Sequence, residues 1–283
     1  MSVDKKDKSF HYFFKVIFLG ITLFFSQHAV SQTDVDLAPE LNGRVSVGVE
    51  KNIFKGLSIF LEEEARFDDN FKSFDRFHTS LGMGYRVNQY FKLDMAYVFI
   101  APYSSSNGFS LLRHRTFVDA TGSVHFGKFS LSLKERFQWT YKAGDINVFQ
   151  TPRNVFHLKS KLTAKYKFKK VAPYIFFEIR YYLNAPVVHA NYDGEHYLTD
   201  SGSEIGEPGW FLQGNHGGYI NRYRSCIGTD VKINSKNELN FYFLGDYVID
   251  KEINTNSNGT QLLKYTKEKG FIGTLGAEYK FSF

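Results

Sequence analysis

The feature that most constrains this chain is a period of two that is sustained far longer than a soluble strand needs. In Arg76–Val87 the odd positions are Phe77, Thr79, Leu81, Met83, Tyr85 and Val87, and the even positions are Arg76, His78, Ser80, Gly82, Gly84 and Arg86. Phe129–Tyr141, Val155–Phe168, Val171–Leu183 and Phe271–Phe283 repeat the pattern. Successive side chains of a strand point to opposite faces, so each segment has one apolar and one polar face. Weaker versions at Gly43–Glu50, Leu57–Phe67, Phe91–Ile100, Leu112–Phe126, Tyr219–Ile233 and Leu239–Ile249 bring the total to about eleven candidate strands. Many run 12–15 residues, whereas strands of globular proteins center on about 5–6 and a tilted bilayer crossing takes about 9–11. The expected fold is therefore all-β: a transmembrane antiparallel up-and-down barrel of about ten to twelve strands over residues 43–283.

The connections agree with this fold. Tight turns are expected at Val87–Tyr90, Gly127–Lys128, Lys169–Lys170 and Asn234–Asn237. Long polar connections are expected at Ala101–Ser110, Lys142–Arg153, Asn184–Gly217 and Lys251–Gly270. Short turns on the periplasmic side and long loops outside are the pattern of outer-membrane barrels. Counting back from the C-terminus gives ten strands and leaves Gly43–Glu50 awkward, because its start would lie outside. A twelfth strand in 32–42 or 187–217, or an incomplete first crossing, would restore an even count.

Composition narrows the class. Aromatic residues make up 18% of the chain, with 30 Phe and 18 Tyr, and the mean hydropathy is -0.31. A polytopic helical membrane protein needs several apolar runs of about 20 residues, and the chain has one short run. Rings near strand ends, among them Tyr85, Tyr90, Trp139, Tyr141 and Tyr181, fit interfacial girdles. Residues 1–31 read as a cleaved signal peptide: Lys5, Lys6, Lys8 and Lys15, then the apolar stretch Val16–Phe25, then Ala29-Val30-Ser31. Residues 32–42 are then a periplasmic N-terminal segment. The formal charge of +6 is spread without a Lys/Arg stripe, so no nucleic-acid partner is expected. Cys226 is the sole cysteine, which excludes an intramolecular disulfide framework. No metal set and no cofactor motif are found, and the acidic 184–217 stretch lacks EF-hand spacing.

Two resemblances add to this reading. The final strand, ending Tyr279, Phe281 and Phe283, resembles the signal read by the barrel-assembly machinery of Gram-negative outer membranes. The segments Leu61-Glu62-Glu63-Glu64-Ala65-Arg66, Gly82-Met83-Gly84-Tyr85-Arg86, Leu112-Arg113-His114-Arg115 and Lys134-Glu135-Arg136-Phe137 resemble an uncharacterised outer-membrane β-barrel family common in Bacteroidota. That resemblance implies an outer-membrane location, with membrane lipid and lipopolysaccharide as surroundings, and no established activity.

The polar faces supply the candidate site. If apolar faces meet lipid, the lumen receives Glu62, Glu64, Arg66, Arg76, Arg113, Arg115, Arg136, Glu178, Arg180, Arg222 and Arg224. Such a lumen is either packed with ion pairs or forms a narrow polar conduit. A third option is an anion site built on Arg113, Arg115, Arg222 and Arg224, because guanidinium forks suit carboxylate and phosphate. The rival class is a lipid-modifying hydrolase. His78 and Ser80 share a face, but two residues of strand separate them by about 7 Å, too far for direct activation, and no orienting third group is evident. Asp119, Ser123 and His125 share another face. A soluble periplasmic β protein is the remaining alternative.

Overall fold

A computed structural model describes residues 34–109, 112–147, 150–186, 190–192, 197–199, 216–255, 257 and 262–283. The expected signal peptide, and most of the 184–217 connection with its acidic residues, lie outside the described residues.

Among the described residues the chain is all-β and helix-free. Its long strands are β1 (Glu40–Phe54), β2 (Leu57–Asp68), β3 (Ser73–Arg86), β4 (Phe91–Ser104), β5 (Arg113–Phe126), β6 (Phe129–Lys142), β7 (Asn154–Tyr166), β8 (Val171–Pro186), β9 (His216–Lys232), β10 (Asn237–Thr255) and β11 (Leu262–Ser282). Each pairs antiparallel with the next in sequence, and β11 closes on β1, giving an eleven-stranded barrel. An odd number of up-and-down strands forces the first and last to run parallel. They do so from Ile272↔Glu40 to Ser282↔Glu50. The awkward first segment is thus a complete fifteen-residue strand, and the closing seam departs from the all-antiparallel expectation. Asp34–Asp36 continues the parallel pairing against Lys267–Lys269, so the described residues before Gly43 run along the wall.

Short turns gather at one end. Gly56 (φ 88°) and Gly127 (φ 61°) take left-handed positions there, and a Cβ on Gly56 would meet the Arg86 carbonyl oxygen at 2.8 Å. The expected loop over Lys251–Gly270 is shorter than the sequence suggests. β10 and β11 stay paired as far as Thr255↔Leu262, because a polar ladder needs only backbone partners and its lack of an apolar face hid it. At the β2–β3 connection Asp69, Asn70 and Phe71 are all left-handed (φ 46°, 56° and 67°).

Faces alternate as expected. On β3 Phe77, Leu81, Met83 and Tyr85 are exposed while His78 is buried, and every strand of the barrel likewise leaves large apolar side chains exposed. The fully buried side chains include Ile100, Asp119, Asp246 and Thr274, all on the inner rows. The core therefore lies inside the cylinder and is largely polar. Two carboxylates interrupt the outer rows. Glu63 is exposed beside Thr79, and Glu135 Oε2 accepts a hydrogen bond from Ser160 Oγ at 2.6 Å.

Inner packing relies on rings laid over glycines of the adjacent strand. Phe60 faces Gly82, Tyr174 faces Gly228 and Tyr242 faces Gly276 in register. A Cβ on Gly276 would lie 2.0 Å from the Tyr242 ring. Gly276→Leu must displace that ring, and overpacking of this kind costs roughly 1–3 kcal/mol. Gly122, with nothing within 4 Å of its would-be Cβ, is the control. A urea midpoint for Gly276→Leu no lower than that of Gly122→Leu would count against this account of the interior.

Candidate functional site

The pleat sorts the inward charges into rows, and the register then sets like charges side by side. On β1, β2 and β3, Arg44 pairs with Arg66 and Arg66 with Arg76. On β6 to β9, Arg136 pairs with Lys159, Lys159 with Arg180, and Arg180 with Arg222. Arg113 faces Lys142. Like charges directly opposite one another are unfavourable, so each row requires compensation from elsewhere.

At mid-height the compensation comes from carboxylates. Arg136 donates to Asp119 through Nε at 2.6 Å and Nη2 at 2.7 Å, and Lys134 Nζ adds a contact at 3.1 Å. The Arg136 guanidinium also lies 3.6 Å from the centroid of the Phe117 ring. Arg224 holds Asp246 through Nε at 2.6 Å and Nη2 at 2.9 Å and approaches Glu178 at 3.6 Å. Bidentate arginine–carboxylate pairs of this kind are the strong ones. Ala96, Val98, Leu244 and the free thiol Cys226 are buried beside them. Nearer the short turns, Lys92–Asp94 (2.6 Å), Lys165–Asp230 and Lys280–Glu50 continue the pattern.

Above this layer, at the end that carries the long connections, lies a polar cavity of about 680 Å³. Nine cationic side chains line it against five carboxylates. Some of these cations are committed. Arg66 binds Glu64 (Nη2 at 2.5 Å), Arg76 binds Asp75 (2.5 Å), and Arg180 Nε donates to Asn221 Oδ1 at 2.8 Å. Others are not. Arg44 and Arg113 make no hydrogen bond or ion pair with a described residue. Arg115 has only a 3.3 Å bond from Nε to Thr140 Oγ1. Arg222 reaches Asp246 at 3.3 Å, on a carboxylate already held by Arg224, and its Nε is buried without a partner. Gln138 Oε1 and His157 Nδ1, both buried in the same lining, also lack partners.

A second depression, of about 930 Å³, is lined mainly by outward-facing apolar residues of β9, β10, β11 and β1, among them Ile227, Phe241, Phe243, Leu275 and Val45. It belongs to the outer wall.

The four arginines singled out from sequence therefore divide. Arg113, Arg115 and Arg222 line the cavity, while Arg224 is consumed by Asp246 and Glu178. Arg44, Gln138 and His157 were missed. Their alternation marked them as inward, but nothing local says that they converge. His78 is buried with Nδ1 3.5 Å from Glu64 Oε1 and an unpartnered Nε2. No hydrogen bond joins it to Ser80, so the serine has no base in contact. Asp119 is occupied by Arg136 and Lys134, and His125 is exposed near a turn. Phe283 closes the barrel seam, its N–H donating to the Glu50 carbonyl at 3.0 Å. Its ring lies 5.7 Å from that of Phe281.

Residues 45–196, more than half of the chain, match the family described as "Protein of unknown function (DUF2490)". No curated protein matches the chain.

Proposed function

Since the chain belongs to this family of unknown function, it inherits no activity, and we propose on physical grounds that it is an integral outer-membrane β-barrel with a charged lumen closed at mid-height. The observation that carries this reading is the outward apolar belt on every strand. Monomeric soluble proteins rarely expose contiguous apolar patches above a few hundred Å², and hydrocarbon is the natural cover for a closed cylinder of such rows. A barrel has no sheet edge, so its backbone groups are satisfied without water. Glu63 and Glu135 have polar neighbours in the wall, and an outward carboxylate costs less than the roughly 2–4 kcal/mol of a lysine or arginine at the bilayer center.

In this reading the signal peptide delivers the chain to the periplasm, and the terminal Tyr279, Phe281 and Phe283 engage the assembly machinery. The short turns stay periplasmic. In this reading the parallel seam carries Asp34–Asp36 to the outward end, whereas the sequence alone predicts a periplasmic segment over 32–42. The layer around Asp119 and Asp246, both below 3% exposed, favours a plugged lumen over a conduit. A hydrolase built on His78 and Ser80 gains no support, because the pair is not hydrogen-bonded and lies inside the wall.

Two measurements test the reading. The folded protein should fractionate with outer membranes and migrate faster on gels unboiled than boiled. Recovery in the soluble periplasmic fraction with no such shift would favour the water-soluble alternative. In planar bilayers the inserted protein should give no steady current, and sustained conductance would refute the closed lumen.

A further inference from the structure

We infer that the upper lumen is a binding site for a small soluble polyanion, one carrying at least two phosphate or carboxylate groups. The argument starts from the imbalance in the cavity. Half-buried charges are normally paired or hydrated, and here Arg44 and Arg113 make no hydrogen bond or ion pair with a described residue, Arg115 has one weak neutral acceptor, and Arg222 has a buried unpaired Nε. These arginines sit on β1, β5 and β9, so their guanidinium groups converge from separate parts of the wall on one cavity. Arg44–Arg66–Arg76 and Arg180–Arg222 are in direct register, and a bound anion would relieve that repulsion.

The chemical class follows from the donors. Planar guanidinium forks match the oxygens of phosphate and carboxylate in pairs. Several forks on one cavity favour multiple anionic groups over a single ion. Gln138 Oε1 is an acceptor without a donor, which suits a ligand that also bears a hydroxyl. The volume of about 680 Å³ lies within the roughly 300–1,000 Å³ typical of small-molecule pockets. The strand wall separates the cavity from the bilayer, so a dissolved solute is favoured over a lipid headgroup.

The inference rests on the proposed barrel for one point, that the cavity faces the outside medium. Binding itself is measured on the exported protein folded in detergent, with its β-sheet content verified first by circular dichroism and its heat-modifiable migration recorded separately. Calorimetric titration with inorganic tripolyphosphate should give saturable binding that is tighter than for inorganic phosphate and weaker at high salt, because screening acts over about 8 Å at physiological ionic strength. Arg44→Gln and Arg115→Gln should each weaken binding about tenfold, the loss of one charge-assisted contact. Both variants should keep the heat-modifiable shift, since neither side chain holds a carboxylate. Lys92→Gln, at the opposite end, should bind as the parent does.

A folded parent that gives no heat at millimolar tripolyphosphate overturns the inference, as do Arg44→Gln and Arg115→Gln variants that bind normally. Displacement of tripolyphosphate by lipopolysaccharide micelles overturns the choice of a free solute. Absence of the gel shift with binding intact would instead strike the membrane reading alone.

Discussion

Asp246→Asn is expected to lower the stability of the barrel by about 3–5 kcal/mol, the penalty for stranding buried charge. Asp246 is 2% exposed and takes three hydrogen bonds from two arginines, two from Arg224 and one from Arg222. The amide keeps the shape but loses the charge. It leaves two guanidinium groups facing Arg180 and Arg44 with only Glu178 nearby, 3.6 Å from Arg224. Lys280→Gln is the comparison. Its partner Glu50 lies near the short turns and Lys280 itself is 41% exposed, so loss of that pair should cost under about 1 kcal/mol. Urea titrations of both variants refolded into lipid vesicles make the test. Equal midpoints would mean that the mid-height layer does not hold the lumen together.

The same residues explain how far the sequence could be read. Alternation is local, so Arg76–Val87 declares its faces without reference to any other strand, and length alone distinguishes it from a sandwich strand. Closure is not local. That Glu40–Phe54 lies beside Leu262–Ser282 depends on a pairing across more than two hundred residues, and only the resulting parallel seam reveals an odd count. Register is also beyond the reach of pattern. Arg222 and Arg224 are indistinguishable in the sequence, two inward arginines on one strand. The unbroken register from Val171↔Val231 sets Arg222 opposite Arg180, just before the irregularity at Asn221, and one pleat away it sets Arg224 opposite Glu178, with Asp246 on the other side. One becomes a lining residue with spare donors and the other a neutralised strut. The convergence of Arg44 with Arg115 across the lumen has no signature along the chain at all.

Leu81→Arg separates lipid from water as the solvent of the outer wall. Leu81 is the central member of the row Phe77–Tyr85 and is 60% exposed. It pairs with Leu61 and Tyr97 on its two sides. A substitution at so exposed a position in a water-soluble protein shifts stability by about 0.5 kcal/mol or less. On the hydrocarbon side of a membrane barrel, the same arginine near the midplane costs roughly 2–4 kcal/mol. The expected result is therefore a large loss in the urea midpoint of vesicle-inserted protein, graded by depth. Val87→Arg, one residue past the end of β3, should cost about 0–1 kcal/mol in the same assay. Depth dependence is the decisive part, because a generic packing defect does not know where the bilayer center lies. A flat response along the row, with Leu81→Arg no worse than Val87→Arg, would remove hydrocarbon from the account of why this chain exposes so many rings and aliphatic side chains.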